Sequence, residues 1–252
     1  MNGMTRRKLI RGGVATAAGF AGLAAAAKIA AKHGLIPPDS GEVFGAGETL
    51  TYAVQRVMTA HSLAREFPRS MISKAPFISP YGDLDDAFAR HQALGFADWK
   101  LQVDGMVDRP TTFSMSDLRS LPPHSQITEV VCEEGWSYVA EWIGPQLKDV
   151  LHEVGVQPGA RYIVYFSSQK DIYDSIDMAD ALHPQTFLTM GMNGGDLPVG
   201  FGGPIRLRVP RQLGYKSVKF ITRLTATDSM KKFGTGLGSV SPDDGYSWYA
   251  GI

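Results

Sequence analysis

The single cysteine of the 252-residue chain, Cys132, is the first residue whose chemistry stands out. It ends an apolar run, Val130-Val131, and two acidic residues, Glu133 and Glu134, follow it directly. One cysteine cannot build a structural zinc site, which needs about four nitrogen or sulfur ligands. A thiolate at a strand end can instead give a soft metal one ligand while a cofactor supplies the rest. An inert core cysteine is the alternative, and from this residue alone it is the commoner case.

A second feature is positive charge near the C-terminal end. Between residues 201 and 232 one acidic residue, Asp228, stands against eight basic residues: Arg206, Arg208, Arg211, Lys216, Lys219, Arg223, Lys231 and Lys232. Arg206 and Arg208 alternate with apolar residues, which predicts that both lie on one strand face. The segment 214–219 likewise predicts a strand with Ser217 and Lys219 on one face. Such groups suit a phosphate-bearing ligand. From charge alone, a solvated basic edge strand is the favoured alternative.

Composition restricts the class of protein. The 25 Lys and Arg residues balance 25 Asp and Glu residues, 44% of the chain is hydrophobic and 20% is charged. These values predict a folded globular protein rather than a disordered or collagen-like chain. A net charge of zero argues against a nucleic-acid partner, since nucleic-acid binders usually carry a basic excess. One cysteine excludes a disulfide within the chain.

The N-terminus has the pattern of an export signal. Residues 5–11 read Thr-Arg-Arg-Lys-Leu-Ile-Arg, and an apolar stretch rich in Ala and Gly follows over 12–27. A basic start, an apolar stretch and small residues near 25–27 predict a cleavable leader. The paired Arg6-Arg7 is typical of the twin-arginine type. We therefore expect a twin-arginine signal peptide over 1–31, a linker over 32–48 and one domain over 49–252. Export by that machinery predicts a periplasmic protein, tethered to the membrane if the leader is not cleaved. A basic N-terminus beside an Ala-rich helix is the alternative.

Short strands and a few helices are predicted around these residues. Leu147, Val150, Leu151 and Val154 recur at i, i+3, i+4 and i+7, which predicts an amphipathic helix. Met115–Leu121 predicts a short helix capped by Ser116. Asn193-Gly194 predicts a hairpin or tight turn. Strands are predicted over 99–103, 111–115, 127–132, 161–166, 187–192 and 218–224. The fold class is therefore α+β, with mixed strands in a single domain.

Several motifs, in a fixed order, resemble one family. Cys132-Glu-Glu-Gly-Trp-Ser, followed by Trp142-Ile-Gly-Pro-Gln-Leu, resembles the cysteine motif of the sulfite-oxidase-type molybdopterin oxidoreductases. Similar motifs follow in the family's order: His183-Pro-Gln-Thr, Met192-Asn-Gly, Leu197-Pro, Gly203-Pro-Ile-Arg-Leu and Gly214-Tyr-Lys-Ser-Val-Lys. The segment that starts at Asp244-Gly-Tyr-Ser-Trp resembles the endings of smaller bacterial members. The similarity covers about residues 98–252, and more weakly 55–67.

The resemblance implies a mixed-sheet sulfite-oxidase-type fold and a molybdenum–molybdopterin cofactor in its mononucleotide-free form. Cys132 matches the thiolate ligand of the metal, and Ser167 matches a Ser/Thr contact of the pterin. Residues that match positions holding the pterin and its phosphate are Arg206, Ser217, Val218 and Lys219. Arg208 and Lys216 are added to this set from their charge and strand face.

Three further positions are candidates with weaker support. His61 aligns loosely with a position near the pterin, where relatives have Asn or His. Phe201 stands where many relatives have His or Asn, so one polar contact of the cofactor is missing or is made elsewhere. Tyr246 is a candidate on the substrate side.

The expected activity is oxygen-atom or two-electron transfer to or from a small oxidised or oxyanion substrate. Reduction of sulfoxide-type or other S- or N-oxide substrates is the leading hypothesis, and sulfite oxidation, for which Arg65 and Arg69 are candidate cationic residues, is the alternative. A third hypothesis, from a different class, is a metal-free, non-catalytic exported domain. The sequence shows no haem module and no second, dimerisation domain. We therefore expect a monomer that exchanges electrons with a separate carrier, either a membrane haem protein or a periplasmic cytochrome.

Overall fold

A computed structural model describes residues 28–30, 35–37, 39, 44–59 and 62–252. The chain divides into two compact units, residues 1–60 and 61–252. In the first unit, helix α1 (Ala46–Thr59) begins with the acidic Glu48 in its first turn, where a negative charge stabilises the helix dipole. Most of the predicted leader and linker lies outside the described residues, so their boundaries stay predictions. Within the described ranges, no helix is long and apolar enough to cross a membrane.

The second unit contains short strands and shorter helices. In chain order the strands are β1 (Lys100–Gly105), β2 (Thr111–Ser114), β3 (His124–Val131), β4 (Ser137–Gly144), β5 (Tyr162–Ser167), β6 (Tyr173–Asp177), β7 (Phe187–Thr189), β8 (Gly191–Met192), β9 (Gly195–Asp196), β10 (Arg206–Arg208) and β11 (Ile221–Thr227). The α-helices are α2 (Phe88–Ala93), α3 (Met115–Ser120), α4 (Leu147–Val154), α5 (Met178–Ala181) and α6 (Val240–Asp243). Single 3-10 turns cover Arg69–Met71, Val199–Phe201 and Gly214–Lys216.

Three sheets organise this unit. The largest has the strand order β2-β1-β11-β5-β6, in which β1 and β11 are parallel and the other pairs are antiparallel. A second, antiparallel sheet has the order β3-β4-β8-β9, and β10 pairs with β7. The predicted α+β class with a mixed sheet is therefore confirmed.

The main core lies between the large sheet and helix α4. The helix buries Leu147, Val150, Leu151 and Val154, so the predicted amphipathic helix is confirmed at its predicted bounds. It ends at Gly155, whose φ of 66° is the left-handed conformation that glycine adopts without a Cβ clash. A smaller apolar cluster joins β3, β4 and β8, and this cluster supports the candidate site described below.

Other sequence predictions are confirmed or corrected by local geometry. The pairing of β1 with β2 confirms the predicted strand pair, and Asn193 and Gly194, with φ of 53° and 85°, form the predicted hairpin turn. The cap of helix α3 is Ser114 and not Ser116: the backbone N–H of Asp117 donates to the Ser114 hydroxyl, and the Asp117 carboxylate accepts from the backbone of Ser114.

The predicted strand face over 214–219 is wrong. Gly214–Lys216 forms a 3-10 turn instead, and strand β11 starts only at Ile221, after Phe220 with its φ of 56°. The Lys216 side chain is fully buried, and no local sequence pattern predicts this burial.

Candidate cofactor site

Cys132 lies in the tight turn that joins β3 to β4. Its backbone N–H donates to the Trp136 carbonyl at 3.0 Å, and its carbonyl accepts from the Gly135 N–H at 3.1 Å. Gly135 has a φ of 90°, which few other residues adopt without strain. The turn leaves the thiol half-buried and free of any disulfide. The end of β3 therefore presents one free thiol, and its role as a metal ligand stays a prediction.

Two carboxylates face the sulfur. The Cys132 Sγ donates to Glu133 Oε2 at 3.3 Å and lies 3.8 Å from Glu134 Oε2. Burial, together with the hydrogen bond to Glu133 and the negative charges of Glu133 and Glu134, raises the pKa of Cys132 to about 11, against the lowering effect of a backbone hydrogen bond from Glu134. The thiol is therefore protonated at neutral pH, and a metal that binds it must displace that proton.

The sulfur opens into a cleft of about 270 Å³. Its wall combines the cysteine turn with residues from distant parts of the chain: Ser79, Pro80, Cys132, Glu133, Glu134, Trp136, Arg206, Gly214 and Tyr215. An inert core cysteine would be enclosed by hydrocarbon side chains. Cys132 is not, because it opens into this cleft.

Strand β10 places two arginines under this cleft. The Arg206 and Arg208 guanidinium carbons lie 5.7 Å and 4.8 Å from the centre of the Trp142 ring, so both side chains share one face as predicted. Arg206 donates to the Ser217 carbonyl at 2.8 Å and to the Phe201 carbonyl at 3.2 Å. Both arginines are at least 97% buried, which excludes the solvated edge strand. Only Arg206 lines the cleft.

Lys219 adds a third buried positive charge. Its Nζ donates to the Ser79 carbonyl at 2.8 Å and to the Gly200 carbonyl at 2.7 Å, and it lies 5.2 Å from the centre of the Tyr81 ring. Ser79 itself lines the cleft. Carbonyl oxygens orient the ammonium group, but they do not neutralise its charge.

Arg206, Arg208 and Lys219, which we call the unpaired cation cluster, form no ion pair with any carboxylate among the described residues. Burial and, to a smaller extent, the charge of Arg206 lower the pKa of Lys219 to about 7 and that of Arg208 to about 9. The buried Nε of Arg208 also has no hydrogen-bond partner. Buried cations without counterions are unfavourable, so this cluster has the chemistry of an anion-binding site.

Lys216 does not belong to this cluster. Its side chain is fully buried, and its Nζ donates to Asp174 Oδ1 at 2.6 Å and to the Ser175 carbonyl at 3.1 Å. This ammonium already has a carboxylate partner inside the core and does not line the cleft, so the geometry does not support the expectation that Lys216 binds the cofactor. Its role in the structure is to hold the 3-10 turn that carries Gly214 and Tyr215.

The hydroxyl candidates support the cations. The Ser217 hydroxyl accepts from Arg208 Nη1 at 3.0 Å and from the Val209 N–H at 3.1 Å. The Ser167 hydroxyl donates to the Lys219 carbonyl at 2.8 Å. Val218 is buried, and its carbonyl accepts from the Leu207 N–H.

The remaining candidates differ in position. Phe201 packs its ring on Tyr138, at 5.7 Å between centroids, and the polar contact it makes with Arg206 comes from its carbonyl. Tyr246 is 43% exposed and contacts Tyr215, which lines the cleft. His61 lies outside the described residues. The roles assigned to these side chains at a bound cofactor stay predictions.

Comparison with known proteins identifies the family. A family model described as the oxidoreductase molybdopterin binding domain matches residues 89–233, more than half of the chain. The chain belongs to this family. The matched range contains Cys132 and the unpaired cation cluster, but neither His61 nor Tyr246.

Curated relatives agree with this family. A protein of Azospira oryzae, named as a candidate protein-methionine-sulfoxide reductase subunit YedZ1, is 38% identical over 76% of this chain and 69% of its own length. Protein-methionine-sulfoxide reductase catalytic subunits MsrP of Ralstonia nicotianae and Campylobacter jejuni are 32% and 29% identical over 61% and 68% of this chain. The chain spans only 50% and 62% of their lengths.

A solved structure has the same fold. The sulfane dehydrogenase SoxCD of Paracoccus pantotrophus matches with a TM-score of 0.51 and 24% identity over 53% of this chain and 39% of that chain. This likeness supports the sulfite-oxidase-type fold. As a member of the molybdopterin-binding family, the protein is an oxidoreductase that uses a molybdenum–molybdopterin cofactor.

The residues at the cleft fit that cofactor. Its phosphate needs buried positive charge without a counterion, and the unpaired cation cluster provides it. Its metal needs a thiolate, and Cys132 opens into the same cleft. Within the described part of the chain, no three His, Cys, Asp or Glu side chains converge as a metal-ligand set.

Sequence reasoning missed several residues of the cleft. Glu133 and Glu134 adjoin Cys132 in the sequence, so the motif itself could have drawn attention to their charge. Ser79, Pro80 and Tyr81 come from an irregular segment far from the motifs, and no periodicity or charge pattern marks them. Only the tertiary structure brings them to the site.

Proposed function

We propose that the protein is an exported reductase of sulfoxide-type substrates, with its molybdenum centre held by the Cys132 thiolate. The observation that carries this proposal is that one cleft joins the Cys132 sulfur to Arg206 of the unpaired cation cluster. Metal ligand and phosphate counterion are thus available within one cavity. The names of the curated relatives, protein-methionine-sulfoxide reductases, favour a sulfoxide as the substrate.

Each side chain has a defined task in this proposal. When bound, the molybdenum cofactor supplies two-electron and oxygen-atom transfer. Cys132 gives up its proton and binds the metal, while Arg206 and Lys219 hold the phosphate through charge-assisted hydrogen bonds. Ser217 orients Arg208, and the Phe201 carbonyl orients Arg206.

Sulfite oxidation is less well supported by the charges around the sulfur. A sulfite site requires cations beside the metal, and Arg65 and Arg69 are the sequence candidates. Arg69 instead pairs with Glu141 at 2.5 Å, and Arg65 packs on the Phe67 ring beside a different cleft. Neither residue lines the cleft of Cys132.

The partners and location follow from the same proposal. Electrons come from a separate carrier, which is a membrane haem protein or a periplasmic cytochrome. The twin-arginine motif supports export to the periplasm. The exposed Tyr246 packs on Tyr215 of the cleft wall, and this proximity supports the proposal that it contacts a substrate entering the cleft.

Metal analysis and two assays test the proposal. Protein matured in a molybdenum-replete host should contain about one molybdenum atom per chain. Cys132→Ala should lose most of it, whereas Thr112→Ala, an exposed change on β2, should retain it. The purified protein should reduce methionine sulfoxide with a dye donor. A metal-free wild type, or turnover of sulfite with cytochrome c and not of the sulfoxide, would contradict the proposal.

A further inference from the structure

The thiol end of the cleft carries negative charge. Glu133 Oε2 and Glu134 Oε2 lie 3.3 Å and 3.8 Å from Cys132 Sγ. Trp136 Nε1 donates to Glu134 at 2.8 Å, which keeps that carboxylate beside the sulfur. No lysine, arginine or histidine of the described residues pairs with either carboxylate. Their negative charge therefore acts on any molecule that approaches the Cys132 sulfur.

The other end of the cleft carries positive charge. Arg206 forms part of its wall, and Lys219 reaches it through the Ser79 carbonyl. A phosphate bound by these cations would neutralise them. Apart from Arg206 and the proposed metal ligand Cys132, Glu133 and Glu134 are the only wall residues with a formal charge, so they set the sign of the remaining side-chain charge in the cleft.

We propose that Glu133 and Glu134 form a charge filter that admits neutral sulfoxides and rejects anionic sulfur compounds such as sulfite. This inference rests on the proposed function, because it takes the substrate to reach the Cys132 sulfur through this cleft. A cleft lined by charge of one sign changes the local concentration of ions by roughly 10- to 1000-fold. Both carboxylates are exposed, so the filter weakens as salt screens their charge.

Fluorescence quenching measures the filter without any turnover. The chain has 4 tryptophans. Trp99, Trp142 and Trp248 are at most 3% exposed, whereas Trp136 is half-buried in the cleft wall. Iodide, caesium and acrylamide are an anionic, a cationic and a neutral quencher, so their comparison reports the charge at Trp136. In the purified full chain with its cofactor bound we expect caesium to quench several-fold better than iodide at low ionic strength.

Charge-neutralising variants complete this test. Glu133→Gln combined with Glu134→Gln keeps side-chain size and a hydrogen-bond acceptor for Trp136, and should raise iodide quenching at least about threefold with acrylamide quenching unchanged. Glu153→Gln, an exposed change on α4, is the matched control and should leave all three quenchers unaffected. Equal quenching by iodide and caesium in the wild type would refute the filter.

Two substrates that differ only in charge test the filter during turnover. N-acetylmethionine sulfoxide is an anion, and its methylamide is neutral with the same sulfoxide group. In molybdenum-loaded wild type we expect kcat/KM to favour the methylamide by about tenfold, and in the double glutamine variant with equal molybdenum content the ratio should approach one.

The results separate the two proposals. If neither compound is reduced but quenching is charge-selective, the proposed function fails and the filter at the cleft is supported as an electrostatic property. If both compounds are reduced equally and the glutamine variant leaves their ratio unchanged, the filter is refuted and the proposed function stands.

Discussion

Buried cations occur in two regions of this protein, and their surroundings differ. Lys216 pairs with Asp174 at 2.6 Å and Arg211 pairs with Asp180 at 3.1 Å, with all four side chains at most 5% exposed. Arg206, Arg208 and Lys219 are buried almost as deeply, but backbone carbonyls and hydroxyls replace the carboxylates.

The presence or absence of a carboxylate partner distinguishes cations that stabilise the fold from cations that are available to bind a ligand. A paired cation is satisfied within the folded chain, so it holds elements together, as Lys216 holds the turn beside the cleft. An unpaired cluster is unfavourable until an anion arrives. The same residue types therefore have opposite roles, and the partner of each cation, more than its burial, decides which role it has.

The largest expected effect comes from breaking a pair. Lys216→Met leaves Asp174 buried without a counterion, which should lower the free energy of unfolding by about 3–5 kcal/mol. Urea unfolding measures this loss. Lys232→Met is the control, because it removes a lysine from an exposed pair with Asp228 and should change stability by at most about 1 kcal/mol. A loss for Lys216→Met as small as that of the control would show that the buried pair does not stabilise the fold.

Removing an unpaired cation should act on the cofactor instead. Lys219→Met deletes one charge-assisted hydrogen bond to the phosphate, so cofactor retention should weaken by about 1.5–3 kcal/mol, while the cofactor-free protein is not destabilised. Pterin and molybdenum contents after dialysis, together with urea unfolding, measure both effects. Arg206→Ala combined with Lys219→Ala should weaken retention further. Unchanged pterin content in the double variant would place the phosphate elsewhere.

Inorganic phosphate should distinguish the two regions in the cofactor-free protein. At about ten times its dissociation constant it should stabilise the wild type by about 1.4 kcal/mol. Thermal unfolding at constant ionic strength, with chloride as the control ion, measures this gain. Lys219→Met should lose most of it. Equal stabilisation of the variant would assign the phosphate effect to another surface.

The last expected effect is a pH dependence of the unpaired cluster. Burial and the charge of Arg206 lower the pKa of Lys219 to about 7 in the folded protein, whereas an unfolded lysine titrates near ~10.4. Between these values the unfolded chain binds more protons, so the stability of the cofactor-free protein should rise with pH. Below pH ~7 both states hold the proton and this contribution is constant.

Urea midpoints from pH 6 to 9 check this sign. The difference between wild type and Lys219→Met should be constant up to about pH 7 and then increase in favour of the wild type. Arg208, with its pKa of about 9, is present in both proteins and cancels in the difference. A difference that stays constant across the range would mean that Lys219 keeps an ordinary pKa.

Local sequence patterns predicted much of the fold. The apolar spacing of Leu147–Val154 and the Asn193-Gly194 turn are short-range signals, and both appear as predicted. The cap of helix α3 and the form of segment 214–219 were not predictable in the same way. Ser114 and Ser116 are both capable caps, and the fate of Lys216 depends on Asp174, which is distant in the chain.

The sequence by itself determined the family, the single thiol and the run of basic residues, because these are properties of residue order. Only the tertiary structure decided which basic residues are paired, since each pairing depends on a carboxylate from a distant part of the chain. It also brought Ser79, Arg206 and Tyr215 to the cleft of Cys132. Electrostatic energies depend on distance and burial, and neither quantity is contained in residue order.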